Sequence, residues 1–292
     1  MPLFVFGRRD MTKNAFKYAL FIFCAYNLVI GLTIGTFCYK DEGAVFTPIF
    51  RQCMSLFNGI GAAVMVVWYI SIRLRQRESM KIYKQKGICD EYIAAVNKRN
   101  SKLTNLELLN LANSYMHLER FEEAERVLNG MPGESLLHGP SKPYYYKTYI
   151  WLYLNTGRYR QALDIFDASH DLLEKYFGGE GAAGSSFYDD AALCMAVRGD
   201  FAAADRYRSL AVQAVSNRPE RAYNPYMIMA ELFTIDGNEQ EAVRAAQAAR
   251  QAVFACRSFK YPWQRDSALR TIDMGVSLAR KIRAQLYERP QQ

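Results

Sequence analysis

The sequence predicts an all-α chain: a two-helix transmembrane hairpin, then a helical-repeat solenoid closed by a C-terminal capping helix. Three observations predict it. Two uncharged apolar segments, of 22 and 20 residues, lie within the first 72 residues. A pattern of large, small and aromatic residues then recurs four times across residues 103–255. A final amphipathic run occupies residues 263–286.

The hairpin comes first. Residues 18–39 and 53–72 carry no charged side chain. A helix needs about 20 apolar residues to cross the hydrocarbon core, so each segment spans alone. The basic leader, residues 1–17, holds Arg8, Arg9, Lys13 and Lys17, as a signal peptide would. No small-x-small cleavage site follows, because Phe37 precedes Cys38, so the first segment reads as a permanent anchor. The loop at 40–52 has only Lys40 and Arg51, opposed by Asp41 and Glu42, whereas Arg73, Arg75, Arg77, Lys81, Lys84 and Lys86 follow the second segment. Lys/Arg-rich flanks stay in the cytoplasm. Both termini and the repeats are therefore expected inside, with an integral protein of a bacterial inner membrane as the reading. Gly31 and Gly35 share a helix face, Gly61 sits at a matching depth on the second helix, and Asn27 and Asn58 are near enough to bond across. Small residues let membrane helices approach closely, which suits packing within the hairpin; the same face would serve a homo-oligomer. Cys38 and Cys53 stand at the outer ends of the hairpin, either as a bridge or as two ordinary thiols.

Residues 73–102 read as a basic juxtamembrane linker that sets topology and draws anionic lipid headgroups. This placement of charge also excludes a partner class. The net charge of +8 divides into +3 for residues 1–72, +6 for 73–102 and −1 for the rest. A nucleic-acid-binding domain carries its positive charge on its folded surface, and this chain does not.

The repeat is clearest in the stretch Tyr146, Ile150, Tyr153, Gly157, Tyr159, Ala162, Phe166. Leu108, Ala112, Tyr115, Glu119, Phe121, Ala124 and Leu128 precede it in the same spacing. Tyr188, Ala192, Met195, Gly199, Phe201 and Ala204 follow, then Tyr226, Ala230, Phe233, Gly237 and Ala242. The turn positions 119, 157, 199 and 237 are 38, 42 and 38 residues apart. Spacings of three and four residues place the apolar side chains on one helix face. The Gly reverses the chain, and the Ala lets the second helix approach the first. One such pair cannot hide its apolar face alone, so neighbours stack. Leu269, Ile272, Val276, Ala279, Ile282 and Leu286 then form the stripe of a helix suited to pack on the last pair.

These units resemble the tetratricopeptide repeat (TPR) family. Glu119 replaces the usual Gly, Arg208 an expected apolar residue, and Glu239 and Ala246 two expected aromatics. The resemblance implies protein or peptide binding in a groove lined by each unit's first helix. Transferred onto this chain, the groove positions are Leu109, Asn113, Met116 and His117, then Tyr144, Lys147, Trp151 and Asn155, then Asp189 and Leu193, then Met227 and Glu231. Some family members clamp a C-terminal carboxylate with Lys and Asn. Asn113 matches one such position, but Leu109, Thr148, Ser186 and Asp190 occupy the others, so the expected ligand is instead a mixed or amphipathic helix.

No catalytic, metal or cofactor constellation is legible. Gly179–Gly184 fits G-x-G-x-x-G but follows a helical pattern, where dinucleotide binding needs a strand. His117, His138 and His170 are not at metal-ligand spacing. Asp189 and Asp190 are adjacent and read as a solvated face. The expected function is a non-catalytic, membrane-anchored scaffold for a protein or peptide partner. The alternative is an accessory subunit of a membrane enzyme or transport complex, recognised mainly through its hairpin.

Overall fold

The computed structural model describes residues 77–98 and 103–287, with Gly59, Ala63, Val66, Val67 and Ile70 besides. The expected hairpin, including Asn27, Gly31, Gly35, Asn58 and Gly61, otherwise lies outside the described residues. Among the described residues no helix is long and apolar enough to cross a membrane. Two compact units are distinguished along the chain, and every element named below lies in the one that contains Lys81–Gln292.

The described residues of that unit are helical, with no strand among them. The helices are α1 (Asp90–Asn97), α2 (Asn105–His117), α3 (Phe121–Asn129), α4 (Ser141–Asn155), α5 (Tyr159–Phe177), α6 (Ala182–Val197), α7 (Phe201–Ala214), α8 (Asn224–Asp236), α9 (Glu239–Ala255) and α10 (Trp263–Leu286). Short 3₁₀ turns at Glu134–Leu136 and Pro219–Arg221 break the longer connections. Side chains start several of the helices. Thr104 and Glu107 form a reciprocal capping box on α2, while Asp200 and Asn238 accept from the backbones of Ala203 and Glu241 at the starts of α7 and α9. Each cap satisfies a backbone N–H that the first helical turn leaves without a partner.

Consecutive helices pack as pairs: α2 on α3, α4 on α5, α6 on α7, and α8 on α9. The second helix of each pair also meets the first helix of the next. The turns between partners fall where the sequence places them. Glu119, Gly157, Gly199 and Gly237 have φ of 57°, 75°, 81° and 91°. All four are left-handed, the region that lets the chain reverse between helices and that disfavours any residue with a Cβ. Glu119 takes that conformation without being a glycine. The small residues behave as their positions require. Ala112, Ala124, Ala162, Ala192, Ala204 and Ala230 have no exposed surface at all, so backbones touch where a larger side chain would separate them.

The first three turns also carry ion pairs that tie their helix pair to the helix before it. Arg120 reaches Asp90 on α1 at 2.9 Å, Arg158 grips Glu125 on α3 with two hydrogen bonds, and Arg198 meets Asp167 on α5. The Arg120–Asp90 pair gives α1 the role that α3 and α5 play for later turns. Gly87, just before α1, has φ 75° and lies 32 residues before Glu119. Residues 81–86 are helical. A further helix–turn–helix step thus precedes the four read from sequence, inside the stretch expected only to link hairpin and repeats.

At the other end, α10 packs on α8 and α9, as its apolar stripe requires. Ile272, Ala279 and Ile282 are fully buried. Its two ends are anchored far from each other. Trp263 donates from Nε1 to the Lys84 carbonyl at 3.1 Å and lies edge-on to Tyr83, while the Tyr287 hydroxyl donates to the Ala196 carbonyl at 2.9 Å. The helix therefore bridges the turn regions at Gly87 and Gly199, beyond the last pair alone.

Candidate functional site

The residues expected to line an open groove lie along the first helices of the pairs, α2, α4, α6 and α8. Helix α10 covers part of that face. Thr271, Met274, Gly275 and Leu278 of α10 close a recess whose other walls include His117, Trp151, Asn155, Asp189 and Glu231. Seven of the twelve expected groove residues, Leu193 and Met227 among them, thus converge on one small space, of about 40 Å³.

The other five lie deeper. Tyr144 is buried against Phe177, ring centroids 4.8 Å apart and edge to face. Asn113 is buried and donates from Nδ2 to the Thr148 hydroxyl at 3.4 Å, leaving its Oδ1 unpartnered. Lys147 is 1% exposed. Its ammonium donates to Asp190 and, at 3.0 Å, to the Ser186 carbonyl. Leu109 and Met116 belong to the packed core, whereas Leu193 and Met227 line the recess.

The adjacent carboxylates do not form the solvated face expected of them. Asp190 is 5% exposed and Asp189 only part-buried, with its Oδ1 shielded from solvent. Glu231 on α8 is 2% exposed, and its carboxyl hydrogen-bonds the Asp189 carboxyl. Burial pushes the Asp189 carboxyl up to about 7, helped by the negative charge of Asp190. Burial and the neighbouring Asp189 push Glu231 well above the ordinary carboxylate range. Asp190 is also raised by burial, against the opposing pull of Lys147. The physical cause is common to all three: taking a carboxylate out of water disfavours its charged form. Among the described residues, one buried lysine, Lys147, stands beside these three carboxyl groups.

Aromatic rings form the remaining wall. His117 and Trp151 sit 5.6 Å apart between ring centroids, and Asn155 donates from Nδ2 to the Trp151 carbonyl at 2.9 Å. That bond holds Asn155 against its own helix. A space walled by carboxylates on one side and aromatic faces on the other favours positive charge.

A second recess lies toward the start of α10, walled by Tyr83, His117, Arg221, Tyr223, Phe259 and Trp263 among others, with about 90 Å³ of space. No sequence expectation pointed to it. The spacing of Tyr83 four residues before Gly87, which repeats that of Tyr115 before Glu119 and Tyr153 before Gly157, was the available signal.

No family model, curated protein or solved structure matches the chain.

Proposed function

We propose that the chain is a membrane-anchored scaffold of TPR-like helix pairs, which holds a protein or peptide partner at the cytoplasmic face without catalysis. The observation that carries this reading is the register of the turns. Four positions spaced 38, 42 and 38 residues apart are all left-handed, each joining two packed helices. Stacked helix pairs of this kind present side chains of successive first helices to one partner, and the two uncharged segments at the N-terminal end supply the tether. Tethering raises the partner's local concentration at the bilayer.

Because α10 covers part of the first-helix face, the partner reaches it beside that helix. Asn155, part-buried at the recess, and Tyr226, 43% exposed on α8, are the positions to probe. A photocrosslinking side chain placed at each in cells is expected to yield one defined protein adduct in the carbonate-washed membrane fraction. Absence of an adduct at both positions, or recovery of the protein in the soluble fraction, refutes the reading.

The covering of the groove by α10 favours one second reading, in which the hairpin does the recognising and the chain is an accessory subunit of a membrane complex. In that case the full chain in detergent retains its partner and a fragment beginning at residue 77 does not.

A further inference from the structure

We propose that the basic, aromatic edge formed where residues 81–86 meet residues 254–265 is a docking surface for the anionic headgroups of a lipid bilayer. The inference deepens the membrane-anchored reading above and rests on it only for what brings the edge to the bilayer. It names a part of the helical unit, beyond the tether, that touches lipid.

Two stretches far apart in sequence build the edge. Trp263 donates from Nε1 to the Lys84 carbonyl at 3.1 Å, across a separation of 179 residues. Its ring lies edge-on to Tyr83 and stacks on Tyr261, with planes 5° apart. Gly87 admits that ring, because a Cβ there would lie 2.6 Å from it. Phe259 joins Tyr83 and Trp263 along one recess.

The two stretches read KIYKQK and FACRSFKYPWQR, with six Lys or Arg between them and no Asp or Glu. Lys81, Lys84, Lys86, Arg257, Lys260 and Arg265 are all exposed. Of the six, Lys86 alone has an ion-pair partner among the described residues, Glu91 at 2.7 Å. Of the other carboxylates close by, Asp90 is engaged by Arg120 and Glu220 by Arg218 at 3.7 Å, while Asp266 is exposed at the start of α10. The positive charge of the edge is therefore left for an outside anion.

The chemistry selects a bilayer surface. Each basic residue held near an anionic leaflet raises affinity for it about five-fold. Tyr and Trp settle at the membrane–water boundary, where one end of the ring is apolar and the other wet. Phe254, 61% exposed just ahead of Arg257, adds an apolar ring. Nine residues separate Ile72, the end of the second uncharged segment, from Lys81. The backbone can therefore carry Lys81 no more than about 30 Å from that segment's end. Nucleic acid is the poorer fit. A single-strand site offers its rings to bases, whereas here Trp263 is engaged with Tyr83, Tyr261 and the Lys84 carbonyl.

The test is hydrogen–deuterium exchange of the full chain with lipid nanodiscs of phosphatidylcholine, or of phosphatidylcholine with about one-third phosphatidylglycerol. In about 0.1 M salt, peptides covering residues 254–262 are expected to exchange at least about three-fold more slowly with the anionic discs. Salt of about 1 M, which shortens the screening length to about 3 Å, is expected to erase the difference. Arg257→Gln with Lys260→Gln, both at exposed positions, is expected to remove most of it. Arg160→Gln with Arg206→Gln removes the same charge from exposed positions on α5 and α7 and is expected to leave it intact.

The anchor reading fails separately. A chain that stays outside the discs refutes the anchor, and the same comparison with discs offered from solution still decides the docking surface. Equal exchange with the two lipids in low salt overturns the proposal, as does an undiminished difference in the Arg257→Gln, Lys260→Gln variant. Equal protection by a single-stranded oligonucleotide, added with phosphatidylcholine discs, overturns it in favour of nucleic acid.

Discussion

Gly275 of α10 lies directly against Glu231 of α8: a Cβ added at 275 would overlap the Glu231 carboxylate oxygen Oε1. The carboxylate is buried and so has little room to retreat. The close approach is what lets α10 lie over the first helices at all. Gly275→Ala is expected to lever α10 outward, at a cost of about 1–3 kcal/mol, typical of overpacking. Limited trypsinolysis reads the change. Cleavage at Arg257 and Lys260, both exposed in the segment leading into α10, is expected to speed up several-fold. An unchanged cleavage rate would show that Glu231 moves aside without cost.

Lys147 and Asp190, 43 residues apart in sequence, form an ion pair with side chains 2% and 7% exposed. Removing one member of such a pair strands the other's charge in the interior. Lys147→Met is expected to lose about 3–5 kcal/mol of stability. The double variant Lys147→Met with Asp190→Leu removes both charges together and is expected to recover most of that loss. Denaturant midpoints for the two variants make the comparison, and a double variant no better than the single one would contradict it.

Glu119 is the sole non-glycine with positive φ among the described residues. A left-handed conformation costs an L-residue about 1–2 kcal/mol. Glycine gives back part of that in unfolded-chain entropy. Glu119→Gly is therefore expected to stabilise the fold by about 0.5–1 kcal/mol, or about 2–4 °C per kcal/mol in the melting temperature. The opposite change at an equivalent turn, Gly157→Ala, is expected to destabilise, because it adds strain at φ 75° and crowds Gln285.

The pH dependence of stability has a defined sign. The ordinary value for the Asp189 carboxyl is 3.8, and in the folded chain it is pushed up to about 7. Between those values the native protein holds a proton that the unfolded chain releases, so stability falls as pH rises through the interval and stays lower above it. Asp189→Asn removes this loss. Unfolding of the two proteins from pH 5 to pH 8, in a buffer free of amines, is expected to show the variant gaining steadily on the parent. A gap that narrows with rising pH would reverse the assignment.

What the sequence determined by itself is local. The helix pairs, the turn positions and the amphipathic run after residue 262 were legible because each depends on spacings of three, four or five residues. Ala162 is small because the chain reverses at Gly157, and both facts lie within six residues. The step at Gly87 is equally legible in its 32-residue distance from Glu119, but the basic residues around it fit a membrane flank just as well. What only the tertiary structure decided is which of those faces stays open. Asp189 and Asp190 look like surface carboxylates to any local rule. Their burial comes from Lys147 on α4 and Glu231 on α8, both about 40 residues distant, and from α10 lying over them. The covering helix is amphipathic in a way that any partner surface satisfies, so its periodicity specifies that it packs and leaves open where. The close approach of Gly275 to Glu231 settles that, and it turns the expected open groove into a walled recess with more negative than positive groups.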